Sequence, residues 1–154
     1  NSKEKGRPKK PVLIKVAPDL TLDEVETIVD AAMACGIDGI VATNTTLNRP
    51  NQQDEVYTQQ GGCSGSPLRQ QSTEMFAHIY SYTNGKLPIV GVGGIMNADD
   101  AWEKIIAGAS LLQAYSGFVF EGPGLTKSIV HGLHNKLKHS QFQTIADAVG
   151  SSHR

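Results

Sequence analysis

The chain has 154 residues, with 14 Lys and Arg against 15 Asp and Glu, a net charge of −1; a surface built for nucleic-acid phosphates carries a basic excess, so nucleic acid is not an expected partner. Hydrophobic residues make up 39% and charged residues 19%, too apolar for a disordered chain and enough for one packed domain. No apolar run approaches the ~18 residues of a membrane-spanning helix, NSKEKGRPKK lacks the apolar stretch of a targeting segment, and Cys35 and Cys63 make neither a disulfide framework nor a metal cluster.

Residues 1–11, with five Lys and Arg and two prolines, are expected to form an exposed basic loop leading into one undivided segment over 12–154. Val12–Val16 is a β-branched strand. Thr21 and Glu24 form a capping-box pair for a helix carrying Val25, Ile28, Val29, Ala32 and Met33, with Gly36 as its stop. Gly39–Thr43 is a second strand, followed by a long aperiodic segment from Asn44 to Pro67. Ser66 and Pro67 look like the cap and first turn of a helix bearing Phe76, Ile79 and Tyr80. Pro88–Val92 is the third strand. Asn97 caps the next helix, with Asp99 and Asp100 in its first turn and Ile105 and Ile106 inward. Ser110–Tyr115 is the fourth strand, and a helix from about Leu125 to His139 precedes a short helical turn and a frayed end. Four β-α units imply a parallel α/β sheet, either doubly wound and open or about half of a (β/α)₈ barrel, whose whole needs ~250 residues.

Several residues could carry chemistry. Gly91–Ile95 (GVGGI) closes the third strand, where glycine lets backbone N–H groups approach an anion; Met96 stands where a dinucleotide fingerprint needs glycine, and a tight turn alone explains the motif equally well. The fourth strand ends in Tyr115-Ser116-Gly117. Barrel enzymes bind phosphate on the loops after their last two strands, so the pair of turns points to a phosphate-bearing ligand. Lys15 sits in an apolar strand near its carboxyl end, where a desolvated ammonium needs an anion unless it snorkels outward. Thr43–Thr46 (TNTT) offers four hydrogen-bonding side chains to the edge of a flat ligand, or forms a polar turn. Cys63, with no histidine near it in sequence, reads as an ordinary thiol. His78, His131, His134, His139 and His153 read as solvated residues of outer helices or the tail, and Phe76, Tyr80 and Trp102 as packing residues.

VLIKVAPDL, DGIVATNTTLNRP, GGCSGSPL, PIVGVGGI and GASLLQAYSGFVFEGP, in this order and spacing, resemble the carboxyl-terminal half of class 2 dihydroorotate dehydrogenases, from about Val12 to His139. The DAVGSSHR ending is similar to animal members. The resemblance implies strands five to eight of a (β/α)₈ TIM barrel, oxidation of dihydroorotate to orotate in pyrimidine biosynthesis, FMN as cofactor and a ubiquinone-type quinone as acceptor. It assigns Lys15 to the flavin's N1 and C2-carbonyl side, where a cation stabilises the reduced ring. Thr43, Ser64, Gly65, Gly93, Gly94, Tyr115 and Ser116 would also hold FMN. Asn44 and Thr45 would hold the pyrimidine, and Val119 and Pro123 would border the quinone channel. Cys63 replaces a common leucine and Ser116 an occasional threonine.

The resemblance also implies that the serine base, the other barrel half and the membrane-docking helices lie upstream of residue 1. Peripheral attachment to the mitochondrial inner membrane is expected, with a bacterial cytoplasmic membrane as the alternative. The chain alone is expected neither to fold stably nor to turn over substrate. Two rivals share the motifs: a non-redox barrel enzyme acting on a phosphorylated substrate, and a non-catalytic scaffold.

Overall fold

A computed structural model describes residues 10–49 and 55–154. Most of the expected basic loop over 1–11 lies outside the described residues; Lys10 and Pro11 are exposed. Four short runs of β-branched and aliphatic residues form the strands β1 (Leu13–Val16), β2 (Gly39–Ala42), β3 (Ile89–Val92) and β4 (Leu111–Gln113). They pair in parallel, in the order β1-β2-β3-β4. Helix α1 (Leu22–Ala34) follows β1, α2 (Arg69–Tyr82) follows β2 and α3 (Ala98–Ile106) follows β3. After β4 come α4 (Ser116–Glu121), α5 (Gly124–Lys138) and α6 (Ile145–Ala148).

Side-chain caps set two helix starts as the sequence predicts. The Thr21 amide donates to Glu24 Oε2 at 2.8 Å while the Glu24 amide donates to Thr21 Oγ1 at 3.3 Å, and Asn97 Oδ1 accepts from the amides of Asp99 and Asp100. The third start differs. Ser66 caps nothing with its side chain; Gly65, at φ +80°, turns the chain into a 3₁₀ turn (Ser66–Leu68) that runs on into α2.

Register decides which residues share a face. Lys15, Val41, Val90 and Leu111 stand in one row across the sheet. The opposite face carries Val16, Ile40, Ala42 and Ile89, all buried with Val25 and Val29 of α1 and Met75, Phe76 and Ile79 of α2. A doubly wound sheet reverses its strand order and carries helices on both faces. A sequential order with one face covered is the geometry of a barrel segment, so the open alternative falls. Of the two readings of Lys15, desolvated or reaching outward, this chain shows the exposed one. β1 is an edge strand, and its Leu13 and Lys15 side meets no helix and is exposed.

Further differences have local causes. Ser116–Glu121, read as part of a turn, is the short helix α4, too brief to show a 3.6-residue pattern. Met33 and Ile106, placed inward by periodicity, are exposed and half-buried respectively, because each lies at the margin of its helix's apolar stripe. The carboxyl-terminal tail is docked rather than frayed. The Gly150 amide donates to Ile105 O, Ser152 Oγ donates to Ile106 O, and the His153 ring stacks on Tyr80 with centroids 5.3 Å apart. His78 is likewise no free surface residue, since its Nε2 lies 2.9 Å from Glu26 Oε1 and ties α2 to α1.

Candidate functional site

The carboxyl ends of the four strands open onto one cavity of about 220 Å³. Strand β1 contributes Lys15, and the segment after β2 contributes Thr43, Asn44 and Thr45. Ser64 and Gly65 enter from the loop before α2, Gly93 and Gly94 from the turn after β3, and Tyr115 and Ser116 from the end of β4. All ten residues assigned from sequence to cofactor and pyrimidine therefore line a single space. The two glycine-bearing turns are near enough to share one ligand.

The turn after β3 is the most constrained part. Among the described residues, the amides of Gly93, Gly94 and Ile95 donate to no protein acceptor, which leaves three donors beside the cavity for an anion. Glycine is required there for reasons the sequence concealed. A Cβ on Gly94 would lie 2.5 Å from Arg69 Cβ and 2.6 Å from Arg69 Cα, and one on Gly93 would lie 2.8 Å from Ser72 Oγ. Close approach of α2, together with positive φ at both positions, excludes other residues. At Gly65 the need for glycine is conformational rather than steric. A Cβ would meet Ser116 Cβ at an ordinary 3.5 Å, but φ is +80° and ψ −155°. Ser64 Oγ and Ser116 Oγ lie 2.8 Å apart and join the two walls across the cavity.

The segment after β2 is fixed by Asp19, which sequence reasoning passed over. Its carboxylate accepts from Thr46 Oγ1, from the Leu47 amide at 2.9 Å and from Asn48 Nδ2 at 3.2 Å. Burial pushes this carboxyl up, but hydrogen bonds from Thr46, Leu47 and Gln71 outweigh it and leave the pKa below the ordinary value. Thr46 and Cys63 exchange backbone hydrogen bonds of 3.0 and 2.7 Å, which tether the long loop to the site. Thr43 is buried, and the Asn44 amide donates to Val16 O at 2.8 Å. Asn44 and Thr45 consequently stand exposed at the cavity mouth on a segment anchored at both ends. Cys63 serves the loop through its backbone.

A second constellation was missed. Lys104 of α3 is fully buried behind the glycine turn, with Nζ 2.9 Å from both Ser72 Oγ and Thr73 Oγ1. Burial pushes its ammonium down to about 8. Beside it, Arg69 pairs with Asp100 at 2.5 Å, and Asp100 Oδ2 accepts from the Met96 amide at 3.0 Å. The only sequence signal was a lysine two positions from Trp102 and next to Ile105, on the inward side of an amphipathic helix. Val119 and Pro123 stand apart from the cavity lining: Val119 is exposed on α4 with Phe118 and Phe120, and Pro123 is exposed just before α5.

Free amides at one end, a lysine and hydrogen-bonding side chains at the other, and a lining without Asp, Glu, His or Cys among the described residues make a binding surface. It fits a flat, amide-rich group that carries a phosphate.

Three comparisons bear on this geometry. A family model described as dihydroorotate dehydrogenase matches residues 1–137. A protein of Rippkaea orientalis named dihydroorotate dehydrogenase (quinone) is 46% identical over 153 residues, covering 94% of this chain and 41% of its own. One of the same name from Streptomyces avermitilis is 43% identical over 148 residues, covering 94% and 40%. Among solved structures, DHODH from Eimeria tenella in complex with ferulenol matches with a TM-score of 0.89 at 38% identity, over 97% of this chain and 40% of that one. The chain thus spans about two fifths of the length of these relatives. Among the described residues no helix is long and apolar enough to cross a membrane.

Proposed function

The chain belongs to the dihydroorotate dehydrogenase family, which implies a flavin cofactor, and we propose that residues 12–154 supply the phosphate-holding half of the site of a quinone-linked enzyme. The reaction is dihydroorotate plus quinone to orotate plus quinol, in which two electrons and two protons leave C5 and C6 of the pyrimidine and arrive on the quinone. The single observation that carries this reading is the convergence of Lys15, the Thr43–Thr45 segment and the two strand-end turns on one cavity. FMN, when bound, supplies a two-electron acceptor between pyrimidine and quinone.

The chain's own residues have distinct tasks. The free amides of Gly93, Gly94 and Ile95 bind the phosphate, joined by Ser116. Lys15 offers a fixed cation to the flavin ring, and Thr43, Ser64, Gly65 and Tyr115 line its path. Asn44 and Thr45, held in place through the Asp19 anchor, orient the pyrimidine carboxylate and ring. The proton acceptor for C5 comes from outside this chain, as a serine. Val119 and Pro123 border the quinone's entry, and the exposed Phe118 and Phe120 beside them suit an apolar acceptor and a peripheral contact with the membrane. The membrane of a bacterium or the mitochondrial inner membrane would serve; the bacterial origin of the curated relatives supports the former.

The test is made on the intact protein that carries this chain. It is expected to purify yellow, with flavin absorbance and dihydroorotate-dependent quinone reduction. Lys15→Ala is expected to strip the flavin or to lower turnover by more than about tenfold. A colourless, dihydroorotate-inert protein that acts on a phosphorylated substrate would replace this reading with the non-redox one.

A further inference from the structure

The ammonium of Lys104 has three hydrogen-bond partners, Ser72 Oγ and Thr73 Oγ1 at 2.9 Å and Arg69 O at 3.4 Å, one for each of its protons. The Phe76 ring lies 5.2 Å away. Every one of these partners is neutral. The carboxylates nearby are engaged elsewhere, Asp100 with Arg69 and the Met96 amide, and Glu103 with Arg69 at 3.9 Å. Among the described residues none forms an ion pair with Lys104. Asp100 and Glu103 favour the Lys104 charge from a distance and Arg69 opposes it, but burial outweighs them; a buried charge without a direct ion pair is costly to fold, and a counter-charge relieves that cost.

The place for the counter-charge adjoins it. Ser72 Oγ accepts from Lys104 and shares its one proton between Arg69 O at 3.0 Å and Gly93 O at 3.3 Å. The ammonium therefore stands two hydrogen bonds behind the turn whose amides at Gly93, Gly94 and Ile95 are free. The same network fixes the turn's far end, since Asp100, paired with Arg69, accepts from the Met96 amide.

We propose that Lys104 is a positioning residue for the ligand's phosphate: its buried ammonium, set behind the Gly93–Gly94 turn through Ser72, supplies the positive charge that a phosphate on the turn's free amides neutralises. This rests on the reading of the cavity as a flavin mononucleotide site, and the experiment separates the two claims. The intact protein, freed of flavin, is titrated with FMN and with riboflavin, which differ only in the phosphate. Lys104→Met is expected to weaken FMN about tenfold and to move riboflavin by less than about twofold, because an unscreened charge acts at this range on the phosphate alone. Lys104→Gln, which keeps a donor to Ser72 but no charge, is expected to lose as much. Both replace a buried charge with a neutral chain of similar length and are expected to fold; if the Met variant does not, the Gln variant carries the same comparison. Equal losses for both flavins would make Lys104 a packing residue and overturn the proposal. Wild-type affinity in the Gln variant would overturn the role of charge. A wild-type protein indifferent to the phosphate would instead sink the reading of the cavity.

Discussion

Ile40 and Val41 are neighbours in β2, yet they belong to different worlds. Ile40 is fully buried among Val25, Val29, Phe76 and Ile79, while Val41 stands in the row that holds Lys15 and the 64%-exposed Leu111. Alternation along a strand separates the two tasks of this chain. One face stabilises the segment against its helices. The other presents apolar side chains and a lysine toward a space that the described residues do not fill.

The largest effect expected from that contrast concerns the chain in isolation. Residues 1–154 expressed alone, with the Leu13 and Leu111 face uncovered, are expected to show no cooperative melt and to stay colourless. A sharp transition with stoichiometric flavin would remove the distinction between the faces. In the intact protein, Phe76→Ala is expected to cost about 3–5 kcal/mol in urea unfolding, as large core truncations do. Leu111→Ala is expected to cost about 2 kcal/mol or more there, despite its exposure in this chain, if the rest of the proposed barrel covers its face. A negligible cost would mean that the face stays open.

Lys104 sharpens the comparison from the covered side, by pH. Its folded pKa of about 8 lies below its ordinary 10.5, so between those values the unfolded chain binds more protons than the folded one. Stability of the flavin-free protein should then rise as pH increases from 8 to 10.5, by roughly 3 kcal/mol at most. The urea midpoint followed across that window checks the sign, and Lys104→Met should flatten the slope. A smaller effect is expected at Gly65. Alanine there meets no close contact but must adopt φ +80°, at a cost of about 1–3 kcal/mol. Lys15→Ala, at an exposed position, should change stability by less than about 0.5 kcal/mol, so any loss of flavin in that variant reports binding rather than folding.

The parts legible in the sequence are those that depend on near neighbours. The Thr21–Glu24 and Asn97 caps, the four strand runs and the order of β and α elements follow from contacts a few residues apart. The motifs at Lys15, Thr43–Thr45, Gly93–Gly94 and Tyr115–Ser116 were legible as well, because each is a contiguous segment tied to a strand end. What escaped was long-range: Asp19 anchors residues 27 to 29 positions away, and Lys104 reaches partners 31 and 32 positions back. No local periodicity signals either one.

The sequence by itself determined the alternating architecture, the family and ten of the residues at the cavity, since hydrophobic period and short motifs are written locally. Only the tertiary structure decided that α1 and α2 cover one face of the sheet, that α2 rather than a ligand demands glycine at Gly93 and Gly94, and that a lysine of α3 lies buried behind their turn. Those outcomes depend on which distant segments meet, and desolvation and van der Waals contact take effect only once they have met.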